Sequence, residues 1–81
     1  MKNDEANKYL MAILTAALET EPAHCPETMV YLAIGADFTK WQFLKSLLSG
    51  AGLATFEGHS LRLTDKGREM ARKINAFIKA A

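Results

Sequence analysis

The chain has 81 residues, 49% of them apolar and 23% charged, with five glycines and two prolines. That is the size and composition expected of one folded domain, residues 1–81; it argues against a disordered segment, and a second catalytic domain is not expected within it. The formal charge of +1 hides an asymmetry, since residues 1–37 carry two bases and six acids whereas residues 38–81 carry eight bases and three acids, a split that hints at a polyanionic partner.

Residues 5–20 are an unbroken run of strong helix formers, with Tyr9, Leu10, Ile13, Leu14, Ala17 and Leu18 spaced along one helical face. Met11, Ala12 and Ala16 make the other side apolar too, so this helix is expected to be central or to touch a second chain. Pro22 and Pro26 mark a break, and Pro26 is expected to open a second helix, residues 26–34, from its first position, where a missing amide costs nothing. In that helix Met29, Val30, Leu32, Ala33 and Ile34 read as largely buried, with Gly35 as a left-handed cap.

Asp37 is a natural N-cap for a third helix, residues 38–50. Phe38, Trp41, Leu44, Leu47, Leu48 and Ala51 recur at helical steps and read as its core face, which leaves Thr39, Lys40, Gln42, Lys45, Ser46 and Ser49 outward, while Phe43 is ambiguous. Past Gly52 the period changes to two. Residues 53–64 read as a hairpin turning at Gly58-His59, pairing Glu57 with Ser60, Phe56 with Leu61, Thr55 with Arg62 and Ala54 with Leu63. Thr64 then caps a last helix, residues 65–80, whose apolar stripe of Met70, Ala71, Ile74, Phe77, Ile78 and Ala81 is expected to be buried. The fold class is mainly α with a β-hairpin, α+β, in the order α-α-α-β-β-α.

Three stretches carry a likeness: Leu47-Leu48-Ser49-Gly50-Ala51-Gly52-Leu53, Phe56-Glu57-Gly58-His59-Ser60, and Leu61-Arg62-Leu63-Thr64-Asp65-Lys66-Gly67. From about Pro26 to Ile74 the chain resembles the winged helix-turn-helix domain of small prokaryotic transcriptional regulators. In that family a recognition helix ends in Gly-Leu, a hairpin wing follows, and a Leu-Thr-x-x-Gly step opens the next helix. The resemblance implies a cytoplasmic, sequence-specific DNA-binding transcriptional regulator with helix three in the major groove of double-stranded DNA. Its contacts would be Thr39, Lys40, Gln42, Lys45 and Ser46 from helix three, with His59 and Arg62 from the wing on the backbone.

That reading needs Lys40 to Ser49 and the hairpin to form one cationic platform, and acids of the first thirty-seven positions around it would undo the proposal. Helix three holds two lysines and no arginine, and Glu57 in the wing repels phosphate. The alternative is a winged-helix module that docks a protein through helix three, Phe43 and the wing without binding DNA. A homodimer through the first and last helices is expected from their surplus of apolar residues.

No enzymatic step is expected, because no paired carboxylates, activated nucleophile or cofactor fingerprint is present. His24 and Cys25 fall short of a metal ligand set, so neither a metal nor another cofactor is expected. The lone cysteine fits a reducing compartment. The apolar run from Tyr9 to Leu18 is too short to span a bilayer, so no membrane association is expected.

Overall fold

A computed structural model describes Lys2 to Ala80, the side chains of Lys79 and Ala80 excepted. In chain order it contains α1 (Asn3–Thr20), β1 (Cys25–Pro26), α2 (Glu27–Ala33), α3 (Phe38–Gly50), β2 (Ala54–Glu57), β3 (Ser60–Leu63) and α4 (Asp65–Ala80). The fold is α+β and mainly helical, with the expected order of helices and hairpin and one short strand added. Ile13, Leu14 and Ala17 of α1, Val30 of α2, Trp41, Leu44 and Leu48 of α3, the inward residues of the hairpin and Ala71 of α4 share one core.

The local devices that set α3 in place follow from the residues at its ends. Asp37 lies in extended backbone and its carboxylate accepts from the Lys40 amide at 2.9 Å. At the other end Gly52 takes a left-handed φ of +70°, which lets the Leu53 amide reach the Leu48 carbonyl at 2.9 Å and the Gly52 amide reach Ser49 at 3.1 Å. This pair of bonds is a Schellman cap, and the reversal it makes sends the chain directly into β2. The hairpin register is the one that the alternation of apolar residues dictates: Ala54 opposite Leu63, Thr55 opposite Arg62, Phe56 opposite Leu61 and Glu57 opposite Ser60. Both turn residues, Gly58 and His59, have positive φ, at +50° and +63°, as a type I′ turn requires.

Two expectations about the second helix are corrected. Pro26 is not its first residue. It is the N-cap, with ψ 134°, and with Cys25 forms a strand that pairs antiparallel to β3, making a sheet of order β1-β3-β2. The Glu27 amide then donates to the His59 carbonyl at 2.9 Å, so the start of α2 is tied to the hairpin turn. Of the apolar residues of this helix only Val30 and the following Ile34 are buried, while Met29, Leu32 and Ala33 are exposed. A helix of seven residues offers the core less than two turns, so one narrow stripe is all it can bury.

The core face of α3 is also narrower than expected, because a helix packed on one side buries only the residues nearest the middle of its apolar stripe. Trp41, Leu44 and Leu48 are buried, but Phe38 and Leu47 lie on the flanks and Ala51 beyond the helix end, and all three are exposed. On α4 the stripe is covered only along its first half. Gly67 and Ala71 are buried and Ile74 is half-buried, whereas Met70, Phe77 and Ile78 are exposed because no element among the described residues covers them. Ala81 lies outside the described residues.

Candidate functional site

Each residue of a helix turns about 100° from the last, so the three buried positions of α3 fix where every other side chain points. Lys40 and Lys45 fall on opposite flanks of the buried stripe, and the side farthest from the core is made by Thr39, Gln42, Phe43 and Ser46, all exposed. The outermost face of α3 therefore carries no charge.

The two lysines are held by acids from the first third of the chain. Lys40 Nζ lies 2.8 Å from Glu5 Oε1 on α1 and 5.6 Å from the centre of the Tyr9 ring. The hydrogen bond from Lys40 holds the Glu5 carboxyl below the usual carboxylate range, and Glu5 in turn pushes the Lys40 ammonium up. Lys45 Nζ lies 3.1 Å from Glu27 Oε1 on α2 and 4.9 Å from the centre of the Phe56 ring. The same Glu27 oxygen accepts from Trp41 Nε1 at 3.1 Å, and the Trp41 and Phe56 rings meet edge to face at 6.0 Å. Glu27 thereby joins α2 to α3 through one carboxylate.

The seven residues expected to contact DNA do not come together as one surface. Gln42, Lys45 and Ser46 share a shallow hollow with Phe56 between α3 and the hairpin. Thr39 lies on the same outward side, but Lys40 turns to α1. His59, at the hairpin tip, faces a different hollow with Glu27, Thr28, Tyr31, Phe38 and Trp41. Arg62 is exposed and alternates with Leu61 and Leu63, so it leaves the sheet on the face opposite the core and opposite the Phe56 ring that meets α3. The single cationic platform is thus broken twice, by ion pairing on α3 and by the direction of Arg62.

What the sequence reading passed over is the pair Glu5 and Glu27 and the exposure of Phe38. No local signal marks either acid, because their partners are distant in sequence and only the packing of α1 and α2 on α3 joins them. Cys25 is buried, and burial pushes its thiol up, away from the reactive thiolate. Among the described residues no three of His, Cys, Asp and Glu are placed to hold a metal ion.

Neither a protein family nor a curated protein matches this sequence. The fold is similar to the crystal structure of AF1382 from Archaeoglobus fulgidus, with a TM-score of 0.66 and 20% identity over 99% of this chain and 90% of that one. At that identity the likeness is one of fold alone. No helix among the described residues is long and apolar enough to cross a membrane.

Proposed function

We propose that this chain is a winged-helix interaction module that docks a protein partner through the outward side of α3, without an enzymatic step. The observation that carries this reading is that both α3 lysines are engaged by Glu5 and Glu27, leaving an uncharged face of Thr39, Gln42, Phe43 and Ser46. Protein interfaces are enriched in aromatic and Met residues and depleted in Lys and Glu at their centres. Phe43 on that side, with Phe38 and Leu47 at its margins, has this character, and all three are exposed. A reducing, cytoplasmic setting suits the buried free thiol of Cys25.

A random peptide display library selected on the folded domain tests the reading. The expected result is enrichment of peptides that bind the wild type, lose binding on Phe43→Glu, and keep it as salt rises. Absence of enrichment, or peptides indifferent to Phe43→Glu, would overturn it.

The second reading is duplex-DNA binding by a transcriptional regulator, and a specific observation favours it. Thr39, Gln42 and Ser46 are free and exposed on one side of a helix that runs beside a hairpin, and amide and hydroxyl side chains of this kind read base edges in the major groove. It requires phosphate to displace Glu5 and Glu27 from the two lysines. Surface ion pairs are worth only about 0–1 kcal/mol each, so Glu5 is readily displaced from Lys40, whereas Glu27 is half-buried and also holds the Trp41 indole, and both carboxylates stay close to the phosphates and repel them.

A further inference from the structure

Between the start of α2, the first turn of α3 and the tip of the hairpin lies a hollow of about 250 Å³, lined by Glu27, Thr28, Tyr31, Phe38, Trp41 and His59. Two bonds fix its shape. The Glu27 amide donates to the His59 carbonyl at 2.9 Å and Trp41 Nε1 donates to Glu27 Oε1 at 3.1 Å, so the three elements are joined around it before any ligand arrives. Trp41 is buried and Tyr31 half-buried, which makes them fixed walls, whereas Phe38 is exposed and forms a rim that a ligand can cover.

The polar groups of this lining share one character. Glu27 Oε1 is taken by Trp41 and Lys45, but among the described residues nothing donates to Glu27 Oε2, and the side chains of Thr28, Tyr31 and His59 make no hydrogen bond. A carboxylate oxygen, a hydroxyl, a phenol and an imidazole can all accept, and Glu27 is the only acid in the lining, which holds no lysine or arginine. The fitting ligand is therefore a cation that donates several hydrogen bonds and has a flat face for the aromatic rings. A guanidinium has all three properties, whereas an ammonium is a compact, strongly hydrated charge with no face to stack. The space suffices, since a cavity of roughly 150 Å³ already holds a benzene ring and a guanidinium is smaller.

We propose that this hollow receives the guanidinium of an arginine side chain on the docked protein, stacked against Phe38 and bonded to Glu27 Oε2. That the arginine belongs to a protein rests on the docking function of α3, whose outward side adjoins the hollow at Phe38. Lys45 opposes a cation here, but its Nζ lies over the Phe56 ring and lines the hollow of Gln42 and Ser46 instead. Its charge weakens the pull of Glu27, so the site suits a side chain that a larger partner presents rather than a free small cation.

Titration of the isotope-labelled domain with Nα-acetyl-arginine amide, followed by amide and indole N–H chemical shifts, tests the proposal. The Trp41 indole and the amides of Tyr31, Phe38 and His59 should shift together and saturate with a millimolar dissociation constant. The citrulline analogue, equal in shape but uncharged, should bind at least tenfold more weakly, and the lysine analogue at least threefold more weakly. Glu27→Gln, which keeps an acceptor for the indole, should weaken arginine binding at least tenfold, and Phe38→Ala, at an exposed position, at least threefold. Lys45→Gln should tighten it. Shifts that do not saturate, equal binding of citrulline or lysine, or indifference to the Glu27 and Phe38 variants would overturn it. The probe needs none of Thr39, Gln42, Phe43 and Ser46. Its failure alongside peptides that depend on Phe43 would therefore sink this inference alone, while its success without such peptides would keep the guanidinium site and remove a docked protein as its source.

Discussion

Gly67 and Leu53 meet backbone to backbone. The first turn of α4 lies so close to the segment after α3 that a Cβ on Gly67 would overlap the Leu53 carbonyl. The Thr64 hydroxyl completes the junction by accepting from the Gly67 amide at 3.1 Å and donating to the Gly52 carbonyl, while the Thr64 amide donates to Leu53 at 3.1 Å. This is the physical content of the Leu-Thr-x-x-Gly step: Leu63 enters the core, Thr64 caps α4, and only glycine lets the helix approach the end of α3.

Gly67→Ala should therefore destabilise the domain by roughly 1–3 kcal/mol, the usual cost of overpacking, because the blocking atoms are backbone and cannot rotate away. Gly50→Ala is the internal control. Gly50 is helical and a Cβ there meets nothing within 4 Å, so alanine should stabilise by about 0.5–1 kcal/mol. Thermal unfolding of the two variants reads the contrast as melting-temperature shifts of opposite sign, and equal shifts would contradict the account of this junction.

Glu21 and Arg68 form a two-pronged ion pair, with Arg68 Nε 2.8 Å from Oε1 and Nη2 2.7 Å from Oε2, which ties the end of α1 to α4. Hydrogen bonds from Arg68 hold the Glu21 carboxyl below its ordinary range. A carboxyl lowered in the folded state contributes stability that is present above its unfolded pKa and is lost as pH falls through the folded value. Glu21→Gln should accordingly lower stability at pH 7 by up to about 1 kcal/mol and make little difference at pH 2, where the wild type has lost the same contribution. Urea unfolding at the two pH values measures this. A deficit of equal size at both would show that the ion pair contributes nothing through its charge.

Glu27 is the acceptor for both Trp41 and Lys45, and Trp41 is the single tryptophan of the chain. Glu27→Ala removes the partner of an indole N–H whose side chain is buried, at a cost of about 1–3 kcal/mol, and it shifts the tryptophan emission by changing what surrounds the indole. Glu27→Gln keeps an acceptor for the indole while freeing Lys45, so most of the stability should return. A variant pair with identical unfolding midpoints would contradict the role given to that oxygen.

The legible parts of this molecule are those in which cause and effect lie close together in the chain. The pairing of Phe56 with Leu61 follows from a two-residue period and one turn. The ends of α3 follow from Asp37 and Gly52, each acting on amides within a few positions. β1 was not legible, because two residues, Cys25 and Pro26, have no period, and their partner is β3, far along the chain. Periodicity also cannot separate a face that meets the core from one that is left bare, which is why Phe77 and Ile78 read as buried. The division of the expected cationic platform was hidden for a third reason. Exposure of Lys40 and Lys45 was readable from their spacing, but the acids that neutralise them arrive through tertiary packing, and charge counted along the sequence does not show which charges meet in space.

The central claim, that the α3 surface is neutral and docks protein in preference to nucleic acid, is tested most directly by fluorescence anisotropy of a labelled duplex-DNA pool titrated with the protein over a range of salt. The account predicts no binding by the wild type at physiological salt, and a weak, salt-sensitive binding that emerges in the double variant Glu5→Gln, Glu27→Gln as two lysines become free, with a slope of about −2 in log affinity against log salt. Tight binding by the wild type that falls steeply with salt and disappears on charge reversal of Lys40 and Lys45 would contradict it and establish the DNA reading instead.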